Sequence, residues 1–172
     1  MALRLLVPGD DPILRQKSRD VVQFDERLHQ LLDDMYDTMS SSDGVGLAAV
    51  QLGMLRRVVV IDIDDERIEL INPVIIRASS ELADMAEGCL SFPGEQGMVL
   101  RPSYVTVRAQ DRYGSTFTID GDDVLARAFC HEIDHLDGII YQDKASRMLR
   151  KGEIPPEDRK ARKKKRKPQR RR

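Results

Sequence analysis

The motif HEIDH, at residues 131–135, combines residue types that can bind a metal ion and move a proton. On an α-helix, side chains four residues apart lie about 40° from each other, so His131 and His135 can face one divalent cation. Glu132 projects beside them, where its carboxylate can exchange a proton with a water molecule on that cation. The alternative interpretation is a charged surface turn that contains two of the three histidines of the chain.

A catalytic metal site usually has three protein ligands, so a third donor is needed besides the two histidines. In one class of proteases this donor is a histidine six residues after the second one, but Tyr141 stands at that position. We expect His29 to be a solvent-exposed helix residue. Cys89, in the glycine-flanked segment EGCLSFPG, is the better candidate because a thiolate binds borderline metals. A cysteine in such a place can also be a small buried residue, as we expect for Cys130.

The segment GVGLAAVQLG, at residues 44–53, places small residues around an amide side chain and is predicted to be a loop. It has neither a Lys-Ser/Thr pair nor the spacing of a dinucleotide-binding loop, so we expect no nucleotide cofactor. Small residues instead allow a substrate backbone to lie close, and the Gln51 amide is available to a developing oxyanion. The alternative is a tight turn that enters a buried strand.

Predicted helices on either side of a β-rich region position these segments. Apolar residues spaced three and four apart in residues 24–39 predict an N-terminal amphipathic helix, capped by Asp25. Residues 57–112 contain short apolar runs typical of hairpin strands, and residues 115–120 add another. A second helix, over about residues 121–137, carries the HEIDH motif. This order predicts an α+β fold with small antiparallel β-sheets packed around the central motif-bearing helix.

The composition is that of one ordinary domain with a basic extension. The chain has 172 residues and a formal net charge of −1, yet residues 147–172 alone carry 14 Lys/Arg and 3 Asp/Glu. We therefore predict a domain at residues 1–148 and a basic, disordered tail at residues 149–172. Two cysteines do not make a disulfide framework, and no apolar stretch is long enough to span a membrane. We expect a cytoplasmic location without membrane association.

The three segments GVGLAAVQ, EGCLS and HEIDH, in this order and roughly 40 residues apart, resemble the three signature motifs of the peptide deformylases. The resemblance covers about residues 5–148 and leaves only the basic tail outside. It implies that Cys89, His131 and His135 bind one divalent metal ion and that Glu132 is the general acid/base.

The resemblance also implies roles for residues next to the metal. Gln51 and the backbone N–H of Leu90 would stabilise the oxyanion. Gly44, Val45 and Gly46 would bind the substrate: Gly46 would pair with its backbone, and Val45 would border the pocket for a methionine side chain. The substrates implied are N-formyl-methionyl nascent peptides.

An acid and an arginine of the family fall at Glu87 and Arg101, which implies a structural ion pair that shapes the cysteine segment. Two unrelated surface charges are the alternative. The family typically uses Fe²⁺, and Zn²⁺, Ni²⁺ or Co²⁺ can replace it. The ligand types by themselves suit several of these metals.

The activity implied is metal-dependent hydrolysis of the N-formyl group from the N-terminal formyl-methionine of new polypeptides, which releases formate. One alternative is a small HExxH metalloprotease, against which Cys89 as third ligand argues. Another is an RNA-binding protein built around the basic tail, because clustered Lys and Arg neutralise phosphates. The first and last interpretations combine in a deformylase whose tail contacts ribosomal RNA, unless the tail only improves solubility.

Overall fold

The computed structural model describes residues 3–156. The predicted tail extends from residue 149 to residue 172, and its part from residue 157 onward lies outside the described residues. The first residues of the tail have defined contacts. The Leu149 N–H donates to the Gln96 carbonyl, and the Arg150 N–H donates to the Glu153 carboxylate across a turn.

Two helices of several turns and a few short helical turns occur in the described chain. They are α1 (Glu26–Ser41), α2 (Asp123–Leu136), the one-turn α3 (Tyr141–Lys144) and two 3-10 turns, Pro12–Arg15 and Ala49–Leu52. The Asp25 side chain accepts a hydrogen bond from the Leu28 N–H at 3.1 Å and so caps the start of α1. Within residues 3–156, none of the helices combines the length and the apolar character that crossing a membrane requires.

The strands of the described chain form two antiparallel sheets. The strands are β1 (Gly46–Ala48), β2 (Val58–Ile63), β3 (Glu66–Ala78), β4 (Leu82–Cys89), β5 (Phe92–Pro102), β6 (Tyr104–Gln110), β7 (Thr116–Asp122) and β8 (Ala145–Met148). The larger sheet has the order β1-β2-β3-β6-β7, and the smaller sheet has the order β4-β5-β8. β1 is therefore an edge strand that pairs with β2.

The larger sheet separates two apolar clusters, because successive side chains of a strand point to opposite faces. Val58 and Val60 of β2 belong to the cluster that contains α1, whereas Val59 and Ile61 belong to the cluster that contains α2. Val99 of the smaller sheet also lies in the cluster around α2. Both sheets thus pack on this helix. The predicted α+β fold, with small antiparallel sheets around the motif helix, is confirmed.

Three short strands lie where the sequence shows no clear strand pattern. Residues 44–53, predicted to be a loop, contain β1 and the second 3-10 turn, because residues 46–48 pair with β2. β4 carries Asp84 and Glu87 among small residues, and β8 has the sequence ASRM. Both strands are defined by their pairing with β5 rather than by an apolar pattern of their own.

The C-terminal end of α2 is fixed by a close backbone approach. Gly138 has φ +73°, and a Cβ atom there would lie 2.5 Å from the Arg15 carbonyl oxygen. Only glycine meets both conditions without strain. The Ser18 N–H also donates to the Leu136 carbonyl at 2.8 Å. These contacts hold the end of the helix that carries the HEIDH motif.

Candidate metal centre

α2 brings the two motif histidines together on its buried side. The whole motif is helical, so His131 and His135 lie one turn apart. Their ring centroids are 5.0 Å apart, and both side chains are buried. The Tyr141 ring stacks on His131 with a centroid distance of 5.9 Å. The imidazoles are therefore held by packing as well as by the helix.

The smaller sheet supplies the sulfur atom. Cys89 is the last residue of β4, and its Sγ lies 3.3 Å from the His135 Nε2. One donor atom from each of Cys89, His131 and His135 lies within 4.8 Å of the other two. A thiolate with two imidazoles suits borderline divalent metals, and three protein ligands leave a position for water or substrate. The three residues therefore fit a single metal ion.

Glu87 is a buried carboxylate of β4 whose hydrogen bonds connect β4 and β5 to α2. Arg101 donates to its two oxygens at 2.8 and 3.0 Å, and Arg127 donates to its Oε1 at 2.8 Å. The His131 Nδ1 lies 2.9 Å from its Oε2. A carboxylate on one imidazole nitrogen fixes the ring orientation and leaves Nε2 as the ligand atom. Arg101 also donates to Asp134 of α2.

The charges of this cluster shift the pKa values of its members. Burial alone would raise the pKa of Glu87, but hydrogen bonds from His131 and Arg101 and the charge of Arg101 lower it to about 2. Burial works against protonation of His131, but hydrogen bonds with Cys89 and Glu87 raise its pKa to about 10. Burial and the neighbouring His131 lower the pKa of His135. A cation that binds here must displace the His131 proton, so its affinity increases with pH.

Glu132 lies beside the three donors with one oxygen unused. Its side chain is buried, and its Oε2 has no hydrogen-bond partner among residues 3–156. Burial raises the pKa of Glu132 to about 7, although the charge of His131 opposes the shift. A Cβ atom at Gly46 would lie only 2.5 Å from the Glu132 Oε1. The absence of a side chain at residue 46 therefore gives the carboxyl group its place.

Gln51 is oriented with its amide N–H toward the metal-binding group. Its Oε1 accepts a hydrogen bond from the Ala48 N–H at 2.9 Å, which identifies the opposite end of the amide as the donor. Its Nε2 donates to the Cys89 Sγ at 3.4 Å and to the Ser91 hydroxyl at 3.3 Å. Buried and held at both ends, this amide can donate to a charge that develops near the sulfur.

A cleft of about 810 Å³ opens beside these groups. Its walls include Gly44, Val45, Gly46 and Leu90. Val45 is half exposed, and a Cβ atom at Gly44 would lie 2.6 Å from the Leu90 Cδ1. The structure thus brings every site residue predicted from the sequence to this cleft, to the group of three metal donors or to the Glu87 cluster. The complete set is Gly44, Val45, Gly46, Gln51, Glu87, Cys89, Leu90, Arg101, His131, Glu132 and His135.

Two members of the site are absent from the sequence-based prediction. Arg127 bonds to Glu87, and Tyr141 stacks on His131. Arg127 had a detectable signal, because it is a charged residue within the apolar stripe of α2 and lies four residues before His131. Tyr141 had none, since an aromatic residue after a helix is typical of any core.

The remaining histidine and cysteine have structural positions. His29 was predicted to be solvent-exposed, and this is wrong: its side chain is 19% exposed, and its Nε2 lies 2.8 Å from the Arg112 carbonyl. The contact arises because α1 packs beside the turn that follows β6. Cys130 is a buried core residue, as predicted from its direction on the helix.

The lowered pKa of Glu87 predicts a loss of stability in acid. A group whose pKa is lower in the folded state stabilises the fold above its unfolded-state pKa and loses this contribution as the pH falls toward its folded-state pKa. For a shift from 4.5 to about 2, the loss is about 3 kcal/mol at 1.36 kcal/mol per pKa unit. Urea unfolding of chelator-treated protein should show that Glu87→Gln loses less free energy of unfolding between pH 5 and pH 2 than the wild type.

The matched control for this experiment is Glu81→Gln, which changes an exposed glutamate. We expect it to follow the wild-type pH dependence. Parallel curves for the wild type and Glu87→Gln would contradict the assignment of the acid-sensitive free energy to Glu87.

Known proteins similar to this chain identify its family. A family model described as polypeptide deformylase matches residues 3–151. The peptide deformylase of Alkaliphilus metalliredigens is 55% identical over 144 residues, which are 84% of this chain and 97% of that protein. The Caldicellulosiruptor bescii peptide deformylase is 53% identical over 90% of this chain and 92% of its own length.

Solved structures extend the similarity to three dimensions. The crystal structure of the peptide deformylase from Thermotoga maritima superposes with a TM-score of 0.83 at 35% identity, over 86% of this chain and 100% of that chain. The Legionella pneumophila enzyme gives a TM-score of 0.81 at 38% identity, over 97% of this chain and 100% of that chain. The family match extends over the strands and the helix that form the Cys-His-His site. The chain therefore belongs to the polypeptide deformylase family.

Proposed function

We propose that this chain removes the formyl group from the N-terminal formyl-methionine of nascent polypeptides through one metal ion held by Cys89, His131 and His135. Polypeptide deformylases are hydrolases that act on formylated nascent peptides, and the chain is a member of that family. The observation that supports the residue assignment is the convergence of one sulfur and two imidazole donors within 4.8 Å. Glu132 and Gln51 line the same cleft as Cys89 and His131.

Fe²⁺ is the metal that we assign to this site, because the family typically uses it. Zn²⁺, Ni²⁺ or Co²⁺ can substitute, because a cysteine sulfur with two imidazoles suits all four. Cys89, His131 and His135 would hold the ion, which would supply Lewis acidity to polarise the formyl carbonyl and to lower the pKa of a water molecule. Glu87 keeps the His131 ring in the orientation that binding requires, since the His131 Nδ1 lies 2.9 Å from its carboxylate.

Glu132 moves the proton in this mechanism. Its Oε2 has no hydrogen-bond partner among residues 3–156, its side chain lines the same cleft as Cys89 and His131, and burial raises its pKa to about 7, so the carboxyl group can both accept and release a proton near neutral pH. It takes the proton of the attacking water and passes it to the departing amine nitrogen. Formate and a free N-terminal methionine are the products.

Gln51 and the Leu90 N–H stabilise the oxyanion. The Gln51 amide is held by Ala48 and Ser91, so its N–H is in place before the reaction begins. Leu90 follows Cys89 directly, which places its backbone at the same end of β4.

Residues 44–46 bind the substrate backbone at the edge of the larger sheet. β1 pairs with β2 on one side and faces the cleft on the other, so a peptide can add to it as a further strand. Gly46 supplies the backbone contacts without a side chain that would meet Glu132. Val45, half exposed at the cleft, borders the pocket for the methionine side chain.

The alternative of a general HExxH protease receives less support from the structure. In the protease class considered above, the third metal ligand is a histidine that follows the motif. Here the third donor beside His131 and His135 is the sulfur of Cys89, on a β-strand. We place the activity in the bacterial-type cytoplasm, where formylated nascent chains are made; the relatives reported above are bacterial proteins.

Replacing the proton-transfer residue tests the mechanism directly. Glu132→Ala should reduce formate release from a formyl-methionyl tripeptide by about 100- to 10,000-fold, because general acid–base catalysis contributes in this range. The protein is purified without oxygen and loaded with Fe²⁺, and its metal content is measured. Glu81→Ala, which removes an exposed glutamate, should keep wild-type activity. Equal rates for Glu132→Ala and the wild type at equal metal content would exclude Glu132 as the acid/base.

A methyl group at residue 46 should displace the same carboxylate. Gly46→Ala places a Cβ atom 2.5 Å from the Glu132 Oε1, whereas Gly88→Ala, the matched control, places one 3.4 Å from its nearest neighbour. We expect Gly46→Ala to lower kcat for formate release by about 10-fold or more while Fe²⁺ binding remains. Wild-type kcat in Gly46→Ala, or an equal loss in Gly88→Ala, would contradict this role for Gly46.

The basic tail contacts ribosomal RNA in this proposal and keeps the enzyme near emerging chains. Residues 149–172 carry 13 Lys/Arg and 3 Asp/Glu, and such clusters bind phosphates with strong salt dependence. A chain that ends at Lys151 should sediment less with ribosomes at low salt than the full chain, with unchanged formate release. Equal, equally salt-sensitive sedimentation of the two proteins would show that the tail has no such role.

A further inference from the structure

Arg127 occupies a position in α2 where the helical pattern calls for an apolar side chain. It lies one turn before His131, and only 7% of the residue is exposed. A guanidinium is rarely buried unless its donors are used. Here NH1 donates to the Val99 carbonyl at 2.8 Å as well as to Glu87, and NH2 donates to the Ala83 carbonyl at 2.7 Å.

These acceptors lie on the two paired strands of the smaller sheet. Ala83 and Glu87 belong to β4, and Val99 belongs to β5. One side chain of α2 therefore bonds to both strands. The planar, forked arrangement of the donors makes this possible, because a lysine carries a single ammonium group and cannot reach three separated acceptors with the same geometry.

Apolar packing does little to hold β4 against α2. Among the described residues, no buried member of either apolar cluster lies on β4, and Cys89 alone reaches the cluster around α2 as a partly buried neighbour. β5, in contrast, places Val99 in that cluster. The position of β4 relative to the helix thus depends on its pairing with β5 and on polar contacts, and two of the three Arg127 acceptors, Ala83 and Glu87, lie on the same strand as Cys89.

The proposed metal site needs that relative position to be accurate. Two of its donors are on α2 and the third is on β4, so a displacement of the strand moves the Cys89 Sγ away from both imidazoles. We propose that Arg127 is a positioning residue that sets the distance between α2 and β4, so that the thiolate and the two histidines meet on one cation. This inference rests on the proposed metal site and extends it to a residue that lines the cleft but is not one of the three metal donors.

The test compares Arg127→Met and Arg127→Lys with the matched control Arg57→Met. Arg57 also joins α2 to another segment, through the Leu136 carbonyl at 3.3 Å and the Asp137 carboxylate at 2.8 Å, but these contacts lie at the C-terminal end of the helix and involve no residue of β4. Each methionine variant removes an arginine side chain that joins α2 to a neighbouring segment. Co²⁺ serves as the probe: its affinity is measured by competition with a chelator, and the thiolate-to-cobalt absorption reports ligation by Cys89.

We expect Arg127→Met to lower Co²⁺ affinity by about 10- to 100-fold, the range found for residues that orient metal ligands. Its thiolate-to-cobalt absorption per bound ion should fall as well, because the histidines stay on the helix while the cysteine moves away. Arg127→Lys should lie between Arg127→Met and the wild type. Arg57→Met should match the wild type in both measurements, even if the two methionine variants unfold at similarly reduced temperatures.

Wild-type affinity and absorption in Arg127→Met would overturn the inference, as would equal losses in Arg57→Met. If Arg127→Met does not fold, wild-type values in Arg127→Lys would overturn it and intermediate values would support it. Failure of the proposed function has a different signature. In that case the wild-type protein itself would show no thiolate-to-cobalt absorption and no formate release, and the inference would fall with it.

Discussion

The structure around the site depends on one buried carboxylate. Glu87 receives hydrogen bonds from Arg101 and Arg127 and lies 2.9 Å from the His131 Nδ1, so a single side chain joins β4, β5 and α2. An isolated carboxylate in this environment would be very costly, but two guanidinium groups compensate its charge. The ionised form then fixes the His131 ring. Removal of Glu87 would take from both buried guanidinium groups the carboxylate that they share, which explains why these elements must fold together.

The larger sheet provides the second constraint, because it sets the distance between β1 and α2. β2 is buried on both faces, with α1 on one side and α2 on the other. β1 pairs with the edge of β2, so its distance from α2 is fixed. At this distance a Cβ atom at Gly46 would meet the Glu132 carboxyl group. Glu132, the proposed acid/base, and β1, the strand proposed to receive substrate, are therefore adjacent because of backbone packing, and glycine is the residue type that this distance permits.

Electrostatic preorganisation follows from these two constraints. Glu87 and Glu132 are both buried glutamates within one cluster, yet the pKa of the first is lowered to about 2 and that of the second is raised to about 7. The difference arises from their partners: Glu87 is surrounded by donors, whereas the Glu132 Oε2 has none among residues 3–156. One carboxylate is thus a permanent charge that orients a ligand, and the other is a group able to exchange protons near neutrality.

The sequence by itself determined what local geometry and composition control. The spacing of His131 and His135 places both on one side of a helix wherever that helix packs, and the alternation in β2 follows from the period of a strand. Resemblance of three short motifs supplied the partners Cys89 and Gln51. Only the tertiary structure decided which strand carries the cysteine, since β4 is defined by pairing with β5 rather than by its own pattern. The burial of His29 and the contacts of Arg127 likewise depend on residues far away in the chain, and no local pattern of side chains encodes such contacts.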